Sequence, residues 1–331
     1  MENMHTNESY DSSTQKYQVF CDSLQEALWF IDLNDRLKNA EIITIPNTQR
    51  DQAEFGIDIV LQYDRPDIIL KHGDQIILVI ERTVEVPSGH NVGQRFGRLV
   101  AAAEKRIPVV YFGPYKAYKH GGGTAGPRYM NLRLFYSLKK VAEYYNSAIT
   151  TINWPVDTQC EIIKTAEKDD HIKIYMDLFF SYYDRNGFEG LTEYLKDSDF
   201  QQEQYEEQAQ FAQSEIRNPE QYNIPPDSVQ IMSVNEFEQQ FCEIPGDASN
   251  IRQIVLYNIG MQKIRSDPYA GMAALYYFLY GGADVMQILY FPNIKSNAWY
   301  RLQQATKTYR MYKEFCTAIL FQNGLVLKNN L

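Results

Sequence analysis

Two acidic residues are the clearest candidates for chemistry in this sequence. Asp67 precedes an apolar run at residues 68–70, and Glu81 follows a second apolar run at residues 76–80. Both runs are rich in β-branched residues and are joined across a Gly-Asp pair, a pattern typical of a β-hairpin. Such a hairpin would bring one acid from each strand to the same end. Close carboxylates repel each other unless a cation lies between them, and oxygen ligands of this kind suit Mg²⁺ or Mn²⁺.

The length of the hairpin loop decides whether the two acids face each other. If residues 73–75 form a three-residue loop, Asp67 lies directly opposite Glu81, whereas a loop of two or four residues offsets the pair by one. The alternative without chemistry is a strand end that meets solvent, with Asp67 serving the turn. Because side chains alternate along a strand, Thr83 and Glu85 share the face of Glu81.

The residues around the acids resemble a known superfamily. Pro66-Asp67, a short hairpin and then Glu81-Arg82-Thr83 are similar to the motif of the PD-(D/E)XK nucleases, over about residues 40–150. The resemblance implies a restriction-endonuclease-like fold and a DNA-cleaving activity that depends on Mg²⁺, with Mn²⁺ as a substitute. It also implies that Asp67, Glu81 and the backbone carbonyl of Arg82 bind the metal.

The sequence departs from this motif at its last position, where Thr83 stands in place of the usual Lys. A threonine hydroxyl can hydrogen-bond a water molecule but is no base near neutral pH. The activation of the attacking water could pass to Glu85, to Lys71 on the neighbouring strand, or to the metal alone. The resemblance further makes Glu54 a candidate ligand of a second metal ion, against the alternative of a solvated helix end.

The elements that must position these residues follow from the hydrophobic periodicity. We expect an α/β fold with a mixed central sheet flanked by helices, in which the two strands joined through a helix are parallel. The expected elements are helices at 17–37, 91–105 and 130–145 and strands at 57–63, 107–112 and 148–154, besides the hairpin.

A basic segment follows the hairpin. Residues 91–140 contain ten Lys or Arg and one acid, a net charge of +9 in a chain whose total is −10. Such a concentration of cations downstream of an acidic site fits phosphate binding, although solubilising charges on helix faces are the alternative. The resemblance implies that Gln94 and Arg95 face the site from the helix at 91–105, as candidates for contact with phosphate or metal-bound water. With Arg98, Lys116, Lys119 and Arg128 of the basic segment, they are the candidates for contact with double-stranded DNA.

The chain divides into three parts by composition. Residues 1–16 are polar and are expected to form a disordered tail, residues 17–156 the nuclease-like core, and residues 157–331 a largely helical region. In this region the patterns predict a helix at 251–280 interrupted near Asp267-Pro268 and a second helix at 299–315. They also predict a strand at 285–291 and a tight hairpin turn at Asn323-Gly324. Its expected role is target recognition, dimerisation or support of the core.

Composition indicates the cellular environment in which the protein is expected to fold. The sequence has no apolar run long enough for a membrane span and no signal-peptide pattern at its start. Its four cysteines are far apart and match no zinc or redox spacing, which favours a reduced, cytoplasmic protein. We therefore expect a type II restriction enzyme that acts on double-stranded DNA, with a homodimer as its expected form. The alternatives are a catalytically decayed nuclease-fold protein that binds DNA or a partner, and an enzyme of unrelated fold.

Overall fold

The computed structural model describes residues 16–89, 91–119, 125–246, 248–260, 264 and 268–331, so the expected tail lies outside the described residues apart from Lys16. The strands are β1 Tyr17–Cys21, β2 Glu41–Thr44, β3 Ile68–His72, β4 Gln75–Arg82, β5 Val109–Gly113, β6 Lys116–Ala117, β7 Arg128–Tyr129, β8 Ile149–Asn153, β9 Val229–Met232, β10 Gln253–Asn258, β11 Val285–Phe291, β12 Ala318–Phe321 and β13 Gly324–Leu327. The α-helices are α1 Leu24–Ile31, α2 Gln49–Glu54, α3 Asn91–Glu104, α4 Leu132–Tyr145, α5 Asp170–Asn186, α6 Leu191–Lys196, α7 Asp199–Glu215, α8 Val234–Gln240, α9 Tyr269–Tyr280 and α10 Lys307–Glu314.

A mixed sheet carries the two candidate acids. Its strand order is β2-β1-β3-β4-β5-β8. The strands β1, β3 and β4 are antiparallel neighbours, whereas β4, β5 and β8 run parallel to one another. The helix α3 connects β4 to β5, as expected for a parallel crossover. The α/β class, the mixed sheet and the parallel pair joined through a helix are therefore confirmed.

The β3–β4 hairpin reaches the expected register by an unexpected route. The loop has two residues, Gly73 and Asp74, with Gly73 at a φ of 58°. By itself this loop would offset the acids by one residue. However, the pairing shifts between Leu70 and Lys71, and this bulge leaves Ile77 as an extra residue on β4. The two irregularities cancel, so Ile68 pairs with Ile80, and the next residues in this register are Asp67 and Glu81.

Each face of this sheet covers a separate core. On one face, Val79 and Tyr111 pack with Phe96 of α3 in a cluster that extends to α9 and to the second sheet. On the other face, residues of β3, β4 and β5 pack with α1 and α5. Asp67 and Glu81 alternate with the residues of the second cluster, so they face α3.

The C-terminal region was expected to be largely helical, but it also contains a second sheet. Its strand order is β13-β12-β11-β10-β9. The strand at 285–291 is confirmed by β11. The β12–β13 pair confirms a tight hairpin, but its loop residues are Gln322 and Asn323 instead of Asn323 and Gly324. The helices α3 and α9 lie between the two sheets and cross closely at two glycines. A Cβ on Gly271 would lie 1.8 Å from the carbonyl oxygen of Gly93.

Parts of three expected helices, and one expected strand, were wrong, while α1, α9 and α10 confirm the remaining parts of those helices. Residues 17–21 and 253–258 form β1 and β10 instead of helix, and residues 58–60 form a short 3₁₀ turn instead of a strand. The expected helix at 299–315 is reduced to α10. Both β1 and β10 lie between two neighbouring strands, and short apolar runs of this kind fit helical and strand spacing equally well.

Candidate functional site

The two acids lie at the end of the hairpin and beneath α3. Glu81 is completely buried, and Asp67 has 8% of its surface exposed. The alternation of β4 directs Glu81 toward α3, while the next residue, Arg82, points to the opposite face. The alternative in which these acids simply end a strand in solvent therefore does not describe their environment.

Two arginines of α3 pair with these acids. Nη1 of Arg98 donates to Oε1 of Glu81 at 2.9 Å and lies 3.4 Å from Oδ1 of Asp67. Arg95, one turn earlier on α3, donates to the same oxygen of Glu81. The guanidinium of Arg98 thus supplies the cation between two close carboxylates, at the place where the sequence predicts a metal ion.

The other oxygen of Asp67 is held by the backbone. The amide N–H of Arg82 donates to Oδ2 of Asp67 at 2.7 Å, which links the residue before β3 to the end of β4. A third acid, Asp64, extends the cluster, because Oδ2 of Asp64 lies 3.6 Å from Nε of Arg98. Lys307 of α10 pairs with Oδ1 of Asp64, so the C-terminal region contributes a cation beside the site.

One carboxylate oxygen has no partner. Oε2 of Glu81 is buried and accepts no hydrogen bond from the described residues. Burial raises the pKa of Glu81 to about 8, and repulsion by Asp67 adds to this, while Arg98 and Arg95 oppose it. Burial likewise raises the pKa of Asp67 to about 6, although the hydrogen bond from the Arg82 amide and the charge of Arg98 both act to lower it. An unpaired buried carboxylate oxygen is costly, and it is the atom most available to an additional ligand.

The residues fit a hard divalent cation in their donor type. Asp67, Glu81 and the Arg82 carbonyl offer the oxygen ligands that Mg²⁺ and Mn²⁺ prefer. The described residues contain no group of three or more His, Cys, Asp or Glu side chains that could hold a metal. A bound ion would therefore depend on the unpaired oxygen of Glu81 and on movement of the arginines away from the acids.

Thr83 and Lys71, the other residues considered for activating water, lie in different parts of the hairpin. Thr83 is buried, and its hydroxyl accepts a hydrogen bond from the Glu85 amide at 3.1 Å and lies 3.2 Å from the Glu85 carbonyl. It therefore closes a local turn at the strand end. Lys71 donates to the carbonyl of Phe55, at the other end of β3 from Asp67. Lys71 lies four positions after Asp67 along the strand, which is a distance of about 13 Å.

Glu54 is also placed away from the acids. It is exposed at the end of α2, and the next residue, Phe55, binds Lys71 through its carbonyl. No contact among the described residues joins Glu54 to Asp67 or Glu81. Gln94 lies closer, because it lines a cavity of about 210 Å³ together with Asp64 and Lys307.

The basic segment does not form one continuous patch of free cations. Arg95 and Arg98 pair with the acids, Lys116 with Glu215 at 2.8 Å, and Arg106 with Glu193. Lys119 and Arg128 have no ion-pair partner among the described residues. Of the expected DNA contacts, these two are therefore the cations that form no ion pair within the part of the chain that the structure describes.

Comparisons of the sequence and of the structure with known proteins found no relative. No protein-family model, no curated protein and no solved structure matches this chain. Separately, no helix among the described residues is long and apolar enough to cross a membrane.

Sequence reasoning missed two members of the site. Asp64 precedes Asp67 by three residues, and this spacing was a signal that could have been used. Lys307 lies 243 residues away from its partner Asp64, and nothing in its local sequence indicates the contact. The pairing of Arg95 and Arg98 with the acids was also missed, since both were interpreted as phosphate contacts.

Proposed function

We propose that this protein is a divalent-metal-dependent DNA endonuclease that hydrolyses phosphodiester bonds, of the type II restriction class. The observation that carries the proposal is the buried pair of Asp67 and Glu81, in which Oε2 of Glu81 lacks a partner. Two hydrophobic residues of similar volume would usually stabilise a fold as well as two close buried carboxylates, or better. Their burial is better explained by a ligand or a reaction.

The arrangement of the elements supports the same proposal. An antiparallel hairpin ending in two acids, a helix over those acids and a parallel strand are the order that the resemblance to the PD-(D/E)XK nucleases implies. The proposal includes double-stranded DNA as the substrate, the cytoplasm as the location and a homodimer as the form that cuts both strands.

Each residue of the site has a role in this proposal. Asp67, Glu81 and the Arg82 carbonyl would hold Mg²⁺, which lowers the pKa of bound water and polarises the phosphate. Without metal, Arg95 and Arg98 neutralise the acids. With DNA bound, these arginines would turn toward phosphate oxygens, to which a guanidinium binds with bidentate geometry. Thr83 holds the strand end and supplies no base.

A second candidate is a nuclease fold that has lost its chemistry and binds DNA or a partner. The direct pairing of Arg98 with Glu81 and Asp67 favours it, because the place of the metal is taken by a side chain. The absence of Lys at position 83 favours it as well. The two candidates differ in whether the acids respond to metal.

A cleavage assay on plasmid and phage DNA of varied sequence, with Mg²⁺, with Mn²⁺ and with excess EDTA, tests the proposal. We expect cleavage only with metal, and its loss in Asp67→Asn and Glu81→Gln. The matched control is Asp74→Asn, which removes an exposed acid from the turn of the same hairpin. Binding of Mn²⁺, measured by calorimetry, should weaken in the same two variants. Cleavage that persists in EDTA would refute the metal mechanism, whereas DNA binding without cleavage or metal binding would favour the second candidate.

A further inference from the structure

A second cavity lies on the opposite face of β4 from the acids. It has a volume of about 420 Å³, and its lining includes Trp29, Arg82, Tyr118, Trp154, Lys164 and Lys168. Pockets for small organic ligands have volumes of roughly 300–1,000 Å³ and combine apolar walls with a few polar groups. This cavity has both features and shares no side chain with the acidic site.

Arg82 is the central cation of this cavity. Its guanidinium carbon lies 4.5 Å from the ring centroid of Trp29 and 4.9 Å from that of Trp154. Its Nε is buried without a hydrogen-bond partner, and no carboxylate among the described residues forms an ion pair with it. A guanidinium held between two indole rings keeps its orientation, and its donors remain available to an anion.

The aromatic walls are held in place by their own contacts. The indole N–H of Trp29 donates to Oδ1 of Asp169 at 2.8 Å, and that of Trp154 donates to the Ile163 carbonyl at 2.8 Å. Phe112 stacks on both rings, with centroid distances of 5.7 Å to Trp29 and 4.9 Å to Trp154. Trp154 has only 2% of its surface exposed and supports Arg82 and Phe112. The half-buried Trp29 and the exposed Tyr118 are therefore the walls that offer ring area to a planar ligand.

The charges around the cavity favour an anion. Lys164 is exposed at its rim, while Lys168 pairs with Asp169. Glu161 is the acid among the lining residues, and the charges of Glu26, Asp169 and, from the other face of the strand, Asp67 also act on Arg82. Since Asp169 is already bound by Lys168 and Trp29, Arg82 and Lys164 are the lining cations that form no ion pair with any residue that the structure describes.

We propose that this cavity binds a nucleoside monophosphate, either free or as one nucleotide of a nucleic-acid chain. The base would stack on the aromatic walls, and the phosphate would accept hydrogen bonds from Arg82 and Lys164. A flat ring and an anion in one small ligand match the two features of the cavity, and base–aromatic stacking tolerates any base. The inference does not depend on the proposed nuclease activity, because neither metal nor Asp67 nor Glu81 takes part.

Tryptophan fluorescence measures binding at this cavity directly. Two of the three tryptophans in the chain line it, and the third, Trp299, is buried in the C-terminal region. Titration with deoxyadenosine monophosphate in EDTA should quench the emission with saturation. Deoxyadenosine and inorganic phosphate, which each carry one half of the ligand, should bind at least about tenfold more weakly. The absence of saturable quenching by the monophosphate, or equal binding of phosphate alone, would overturn the proposal.

Variants assign the signal to the cavity. Lys164→Gln removes an exposed charge and should weaken monophosphate binding about tenfold without affecting the fold. Arg82→Lys keeps the charge but loses the planar fork, and it should weaken binding further. Lys105→Gln, at the exposed end of α3, is the matched control and should leave binding unchanged. Unchanged affinity in both cavity variants would refute the assignment.

A short single-stranded oligonucleotide distinguishes the two sources of the ligand. If it binds more tightly than the monophosphate and Lys164→Gln weakens both, the cavity takes a nucleotide of a chain. If the monophosphate binds as tightly or more tightly, the cavity takes a free nucleotide. Because the titration contains EDTA, its outcome is separate from the outcome of the cleavage assay.

Discussion

Nη1 of Arg98 lies 2.9 Å from Oε1 of Glu81 in a part of the molecule where Glu81 has no exposed surface. The pair joins the helix α3 to the strand β4 through charge. The charge of Arg98 opposes the rise in the pKa of Glu81 that burial causes, although this pKa remains at about 8. The same contact therefore supports the fold of the metal-free protein and controls access to the candidate site.

The pH dependence of stability tests the environment of Glu81. Its pKa is raised from 4.5 to about 8, so between these values the folded protein holds a proton that the unfolded chain has released. The unfolding free energy should therefore fall as the pH rises through this window, by at most about 1.4 kcal/mol per pH unit. Glu81→Gln lacks this contribution and should give a flatter profile in chemical denaturation between pH 5 and 8. Glu203→Gln, an exposed substitution on α7, serves as the control, and a Glu81→Gln profile parallel to the wild type would contradict the raised pKa.

The crossing of α3 and α9 should be intolerant of any side chain. A Cβ on Gly271 would lie 1.8 Å from the Gly93 carbonyl oxygen, so Gly271→Ala must push the helices apart. We expect a loss of about 1–3 kcal/mol or more in unfolding free energy, measured by denaturant titration. The matched control is Gly126→Ala, since a Cβ there meets nothing within 4 Å. Equal stability of the two variants would show that the helices are not in such close contact.

Thr83 should prove to be a structural residue. Its hydroxyl bonds the backbone of Glu85, so Thr83→Val should lower the unfolding free energy by about 1 kcal/mol. Thr83→Ser keeps the hydroxyl and should be closer to the wild type. In the cleavage assay, both variants should retain activity as long as they are folded. A loss of cleavage in a stable Thr83→Val protein would instead assign the hydroxyl a part in the chemistry.

The free cations of the basic segment should contribute to DNA binding. Lys119→Gln and Arg128→Gln should each weaken affinity and reduce the slope of log K against log salt by about 0.9, as expected for one lost phosphate contact. Lys140→Gln is the control, because Lys140 already pairs with Glu143 on α4. Fluorescence anisotropy with a labelled duplex at several salt concentrations measures both quantities. Unchanged slopes in the first two variants would show that these charges are only solubilising.

The local sequence determined the hairpin, its acids and the face on which each acid lies. Two runs of β-branched residues around Gly73 and Asp74 favour a hairpin, and strict alternation separates Glu81 from Arg82. The periodicity of residues 91–104 likewise determined α3, and the connection through this helix required β4 and β5 to be parallel. These features depend on neighbours in sequence, so they can be predicted without the fold.

Tertiary structure decided the rest of the site. The bulge at Ile77 aligns Asp67 with Glu81, and it arises from pairing and packing along the whole hairpin. The pairing of Arg98 with Glu81 depends on how deeply α3 packs, which the close crossing of Gly93 and Gly271 permits. Lys307 reaches Asp64 only because the C-terminal region folds back over the sheet. Burial and long-range contacts determine the charge state of each acid, and neither is encoded in the local pattern of residues.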